Sequence, residues 1–108
     1  MSFISAHVLD AGAGVPAAGV EIVLADAAGE MLGAAVTDDD GRVSDLGPDA
    51  LDPGTYRVSF ATGAYFAASE RDTFFPSVIV EFTVVAGERH YHVPLLLSPY
   101  SYTTYRGS

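Results

Sequence analysis

Three side chains suited to proton transfer and anion stabilisation stand out: His7 in "HVLD", Arg42 in "DDDGR" and His92 in "HYHVP". The chain has only 3 histidines and 5 basic residues, and every basic residue is arginine. Imidazole exchanges protons near neutrality, with an ordinary pKa of about 6.5. A guanidinium is a fixed cation whose planar fork of donors suits carboxylate, imide or urea-like oxygens. Two imidazoles and a guanidinium that met in space would form an acid-base and anion-stabilising set. Taken singly, each has a plainer role: a lone histidine is more often packed or solvated than catalytic, and an arginine at a strand end is more often a surface charge. "HYH" also allows a metal pair, because residues i and i+2 of a strand project to the same side. With no cysteine, and no carboxylate in that strand after Glu88, a third ligand would have to come from elsewhere.

Strands are the elements that must position these groups. Period-two alternation dominates and is broken at short intervals by Gly, Pro and Asp, the pattern of an all-β sandwich or barrel. It predicts eight strands, at residues 3–9, 20–26, 30–37, 41–46, 55–61, 77–85, 89–97 and 102–106, enough for two packed four-stranded sheets. Between residues 62 and 73 alternation lapses, and Thr62 as an N-cap with Ala64, Phe66, Ala67 and Ala68 predicts one short helix. In the first strand Ile4, Ala6 and Val8 share one face while Ser5, His7 and Leu9 share the other, so His7 points away from the core. In the seventh, His90, His92 and Pro94 lie on one face. Pro94 has no N–H to give a ladder, which predicts an edge or a locally interrupted pairing there.

The turns deliver rather than bind. "DDDG" at residues 38–41 has three consecutive carboxylates that diverge, unlike the alternating ligands of a calcium loop, and reads as a turn that places Arg42 at the start of the next strand. "GAG" at residues 12–14 lacks the third glycine and the following helix of a dinucleotide loop.

Composition bounds the rest. The 108 residues, 49% apolar along the whole length, predict a single domain over residues 1–108. Fourteen acidic residues against five basic ones give a net charge of -9, which disfavours a nucleic-acid partner and favours solubility. The absence of cysteine rules out disulfides and thiolate chemistry. No apolar run nears the roughly 20 residues of a membrane span, and "MSFISAHVLD" has no signal-peptide pattern, so a cytoplasmic protein without a membrane partner is expected. The C-terminus, "SPYSYTTYRGS", carries Tyr100, Tyr102 and Tyr105 where most domains fray, and reads as a segment built to dock.

These residues carry a resemblance. "GVPAAGVEIVL" followed by "AAVTDDDGRV" is a pattern of several transthyretin-like and regulatory β-sandwich domains, and it speaks for the fold. "HYHVPLLLSPYSYTTYRGS" is far more specific, and with it the whole chain resembles the transthyretin-related 5-hydroxyisourate hydrolases. The resemblance implies a transthyretin-like sandwich and three catalytic residues. His7 matches the family's histidine before Val/Ile-Leu-Asp, Arg42 its arginine after an Asp/Asn-Gly turn, and His92 its histidine before Val/Ile-Pro-Leu-Leu. Tyr105, Arg106, Gly107 and Ser108 match its terminal tetrad, expected to shape and orient the substrate. His90 falls off the motif and receives no catalytic role.

The implied reaction is hydrolysis of 5-hydroxyisourate in urate catabolism, with no cofactor and no metal, because the strained, electron-poor amide is already electrophilic. The implied assembly is a homotetramer with active sites at the dimer-dimer interface. The alternative is a transthyretin-like carrier that holds an aromatic ligand in the central channel, which has no need of two histidines, an arginine and the tetrad together. A purely structural sandwich module would leave the last 19 residues without a reason.

Overall fold

Alternating apolar residues decide which way each strand faces. In β1 (Ile4–Asp10), Ile4, Ala6 and Val8 are buried while Ser5, His7 and Leu9 are only partly covered. The computed structural model describes residues 2–108, and its remaining elements are β2 (Val15–Pro16), β3 (Glu21–Asp26), β4 (Met31–Val36), β5 (Arg42–Val43), β6 (Gly54–Phe60), α1 (Thr62–Ala68), β7 (Val78–Val84), β8 (Tyr91–Ser98) and β9 (Ser101–Thr104). One sheet runs β4-β3-β6-β7 with every pairing antiparallel. The other runs β2-β1-β8-β9, and β5 also pairs with β1. The inward faces meet in one core containing Ile22, Leu24, Val58, Phe60, Leu95 and Leu97, each fully buried and each contributing about 1.5–3 kcal/mol by leaving water. No helix among the described residues is long and apolar enough to cross a membrane.

The second sheet matters for function. β1 and β8 are parallel neighbours in register from Ile4↔Tyr91 to Asp10↔Leu97. On its other side β1 pairs with β5 through Ala6↔Val43 and His7↔Arg42, and with β2 through Leu9↔Pro16 and Asp10↔Val15. The expected sandwich stands, with nine strands among the described residues rather than eight and with a five-stranded sheet. The extra strand, β2, is two residues of a Gly/Ala/Pro-rich loop that close on the end of β1, too short to show alternation. The strand expected at residues 41–46 contracts to Arg42–Val43, because Leu46 instead turns inward, buried, with its N–H bonded to the Ile4 carbonyl.

Thr62 is not the N-cap. It is the first residue of α1, Ala61 stands at the cap without a side-chain bond, and the buried Thr62 hydroxyl has no hydrogen-bond partner among the described residues. The helix is tied down from its far end. Asp10, fully buried at the end of β1, accepts from the Tyr65 hydroxyl at 2.7 Å, the Ala13 N–H at 3.0 Å and the Arg71 guanidinium at 2.5 Å. Arg71 also stacks over the Phe66 ring, 4.8 Å from its centre. Burial pushes the Asp10 carboxyl up, but the bonds from Arg71, Tyr65 and Ala13 outweigh it and hold the pKa below its ordinary value.

Pro94 interrupts a pairing, as its missing N–H requires. β8 and β9 pair from Ser98↔Ser101 to Leu95↔Thr104, and the next bridge in the same register is His92↔Gly107. In the gap the Pro94 carbonyl accepts from the Thr104 hydroxyl at 2.8 Å. β9 therefore ends before Tyr105, and the chain is released from the ladder just where the terminal tetrad begins.

Candidate active site

The outer face of the β1-β8 pair carries the chemistry. Ser5 and His7 alternate outward from β1, and Ser5 lies in register with His92 of β8. Arg42 reaches this face through the turn before it. The Asp38 carboxylate accepts the N–H groups of Asp40 and Arg42, both at 2.9 Å, and the Gly41 N–H closes onto the Asp38 carbonyl at 2.9 Å. Gly41 has φ 75°, and a Cβ there would sit 2.2 Å from the Val8 carbonyl oxygen. Only glycine fits. The Val8 N–H bonds to the Gly41 carbonyl at 2.7 Å, which locks the turn to β1 and sets Arg42 opposite His7.

An open cleft of about 530 Å³ lies over this face, lined by Arg42, His92, Ser108, Ser5, His90 and Asp45 among others. The Ser5 hydroxyl sits between two imidazoles, 2.8 Å from His92 Nδ1 and 2.9 Å from His90 Nε2. His92 has a lowered pKa, first because burial disfavours the imidazolium and then because His7, Arg42 and His90 add positive charge nearby. It is therefore neutral at pH 7 and able to accept a proton. His7 flanks the cleft without lining it, and its Nε2 donates to the Asp40 carbonyl at 2.9 Å.

The terminal tetrad straddles His92. The Gly107 N–H bonds to the His92 carbonyl at 2.8 Å, and a Cβ on Gly107 would lie 2.5 Å from His92 Cδ2. Beyond it Ser108 lines the cleft with Arg42 and His92. Tyr105 and Arg106 lie on the other side, lining a second cavity of about 320 Å³ with Phe82 and Tyr91. There Arg106 stacks over the Tyr91 ring at 4.4 Å and pairs with Glu88 at 3.2 Å. Tyr100, Tyr102 and Tyr105 are exposed within the chain, although Tyr102 meets Phe75 edge-on at 5.0 Å between ring centres.

The structure thus gathers Arg42, His92 and Ser108 at one cleft, sets His7 at its margin, and places Tyr105 and Arg106 at the second cavity, which His92 also lines. Sequence reasoning passed over Ser5, Asp45 and His90 as site residues. Alternation already put Ser5 on the face of His7 and His90 on that of His92. What was missing was the parallel register that makes those two faces one.

A two-sheet sandwich with an imidazole-guanidinium cleft on the outer face of one sheet is the class of protein defined by these features. Within it, the chain belongs to the HIUase/Transthyretin family, whose model matches residues 4–107. It is similar to the 5-hydroxyisourate hydrolase of Salmonella typhimurium, 50% identical over 111 residues that cover 99% of this chain and 82% of the relative. Among solved structures it superposes on Klebsiella pneumoniae 5-hydroxyisourate hydrolase with a TM-score of 0.91 at 36% identity, covering 99% of this chain and all of that one. Sea bream transthyretin in complex with thyroxine superposes almost as well, with a TM-score of 0.90 at 34% identity over 97% and 94% of the two chains. The fold alone therefore does not separate hydrolase from carrier, and the site must.

Proposed function

We propose that this chain hydrolyses 5-hydroxyisourate in urate breakdown, opening the six-membered ring at its N1–C6 amide to give 2-oxo-4-hydroxy-4-carboxy-5-ureidoimidazoline. The convergence of Arg42, His92 and Ser108 on one cleft carries this reading, since a hydrophobic-ligand carrier has no use for a neutral base beside a fixed cation. Neutral His92 takes a proton from a water as its oxygen adds to C6. Arg42 stabilises the resulting oxyanion. The C6–N1 bond then breaks as the imidazolium returns the proton to N1, so water is divided as hydroxyl on the carbon and hydrogen on the nitrogen. His7, close enough to bias His92 electrostatically, shares in proton movement at the margin of the cleft. Tyr105, Arg106, Gly107 and Ser108 shape the substrate site.

The working unit is a homotetramer whose sites lie where two dimers meet. The open outer side of the cleft supports this, because a second copy would exclude the water that weakens every charge interaction there. So do the exposed Ile79, Tyr100, Tyr102 and Tyr105, whose association would remove apolar surface from water. Sedimentation should return four times the chain's 11.3 kDa; a monomer with full activity would contradict the shared site.

The likeness to the thyroxine-bound transthyretin favours a second reading, that of a carrier. The two are separated by generating 5-hydroxyisourate from urate with urate oxidase and following its ultraviolet decay. Trace amounts of this protein accelerate the decay over many turnovers if it is a hydrolase. A carrier consumes no substrate and leaves the spontaneous rate unchanged.

A further inference from the structure

We propose that Ser5 and His90 are positioning residues that fix the tautomer of His92 through a one-way chain of hydrogen bonds starting at the Ser2 carbonyl. A carbonyl oxygen only accepts, so the His90 Nδ1 that faces the Ser2 oxygen at 3.3 Å carries the hydrogen. Neutral His90 then has a bare Nε2, and that nitrogen lies 2.9 Å from the Ser5 hydroxyl, which must donate to it. The hydroxyl has one hydrogen to give. Toward His92 Nδ1, at 2.8 Å, Ser5 can therefore only accept, and His92 carries its proton on Nδ1. Its Nε2 is left bare as the proton acceptor, next to the Cδ2 atom that rests against Gly107.

The start of the chain is itself held. The Ser2 N–H bonds to the Asp45 carboxylate at 2.9 Å and the Ser2 hydroxyl to the Ile4 carbonyl at 3.2 Å, which steady the carbonyl that sets the direction. Were His90 to donate from Nε2 instead, Ser5 would turn its hydrogen to His92 Nδ1, and His92 would present a donor where the base must accept. A residue outside the expected catalytic set thus decides which nitrogen of His92 is basic.

The effect on rate rests on the hydrolase reading; the tautomer does not, and the test reads both. Long-range ¹⁵N–¹H spectra of histidine-labelled protein at about pH 8, where ordinary imidazoles are neutral, should show hydrogen on Nδ1 and a bare Nε2 for both His90 and His92. Ser5→Ala should release His92 into mixed tautomers and lower kcat by about 10–100-fold, the range for losing a group that orients a working imidazole. Ser5→Thr keeps the hydroxyl and should restore both. His90→Phe removes the acceptor, so Ser5 should turn to His92 and drive it toward the Nε2–H form. Wild-type His92 protonated on Nε2, or a Ser5→Ala protein with unchanged tautomer and kcat, would overturn the proposal. Wild-type protein with the expected tautomers but no turnover of 5-hydroxyisourate would sink the hydrolase reading and leave the chain of bonds standing.

Discussion

Gly107→Ala should abolish most activity while leaving the sandwich folded. The added methyl would lie 2.5 Å from His92 Cδ2, 3.1 Å from Cγ and 3.2 Å from Cβ. Carbon atoms in good contact are about 3.5–4.0 Å apart, so ring and terminus must separate by about 1 Å. The ring can give only by stretching the 2.8 Å bond from His92 Nδ1 to Ser5. The terminus can give only by releasing the Gly107 N–H from the His92 carbonyl, a bond of about 1 kcal/mol net, and carrying Ser108 out of the cleft. Either path displaces a site group by about 1 Å, which is worth roughly 10²-fold in rate. The same argument limits the cost in stability to about 1 kcal/mol, since no core residue is involved. Decay of enzymatically generated 5-hydroxyisourate measures the rate, and urea denaturation the stability. Wild-type kcat in Gly107→Ala would refute the close approach of the tail to His92.

Three further outcomes follow from the same geometry. Because burial and neighbouring cations lower the His92 pKa, its basic form persists into acid, and the acid limb of kcat/KM should have its midpoint below the ordinary imidazole value of about 6.5; a midpoint above that value would contradict His92 as the base. Asp10→Ala removes the buried carboxylate that accepts from Tyr65, Ala13 and Arg71 and should cost about 1.5–3 kcal/mol in urea denaturation, the range for hydrogen bonds to a charged group. In the wild type the depressed Asp10 pKa gives a contribution fully present above the ordinary carboxylate value of about 3.9 and lost as pH falls toward the folded value, so the variant should show a weaker acid dependence below about pH 4. Deleting Tyr105, Arg106, Gly107 and Ser108 should remove activity and retain the β-sheet circular dichroism; a fully active truncation would dismiss the terminus from the site.

Much of the fold was legible because burial and alternation coincide. The outward Ser5 and His7 and the inward Ile4, Ala6 and Val8 could be read directly, since each step along a strand reverses the face. Pro94 announced its interrupted pairing through chemistry alone, and the end of β9 before Tyr105 is its consequence. β2 was not legible: two residues cannot show a period, and Val15 and Pro16 are a strand only because β1 is there to bond them. Thr62 misled because a good capping residue at a helix start can also be its first helical residue, here with Ala61 before it.

The candidate cleft was legible in part of its lining, Arg42, His92 and Ser108, and not in its arrangement. His7, Arg42 and His92 were visible by type and motif, and Arg42 by its Asp-Gly turn. Their grouping depends on two pairings of β1: parallel to β8 across more than eighty residues of sequence, which places Ser5 beside His92, and antiparallel to β5, which places Arg42 beside His7. No local pattern encodes that register. The contact of His90 with Ser5 was hidden for the same reason, because the two stand 85 residues apart in the chain.

The most direct test of the central claim compares wild type with His92→Ala in the 5-hydroxyisourate decay assay, with the assembly of both followed by sedimentation. The hydrolase reading predicts accelerated decay by the wild type and a loss of roughly 10² or more in kcat for the variant, at unchanged assembly. Wild-type turnover in His92→Ala would contradict it.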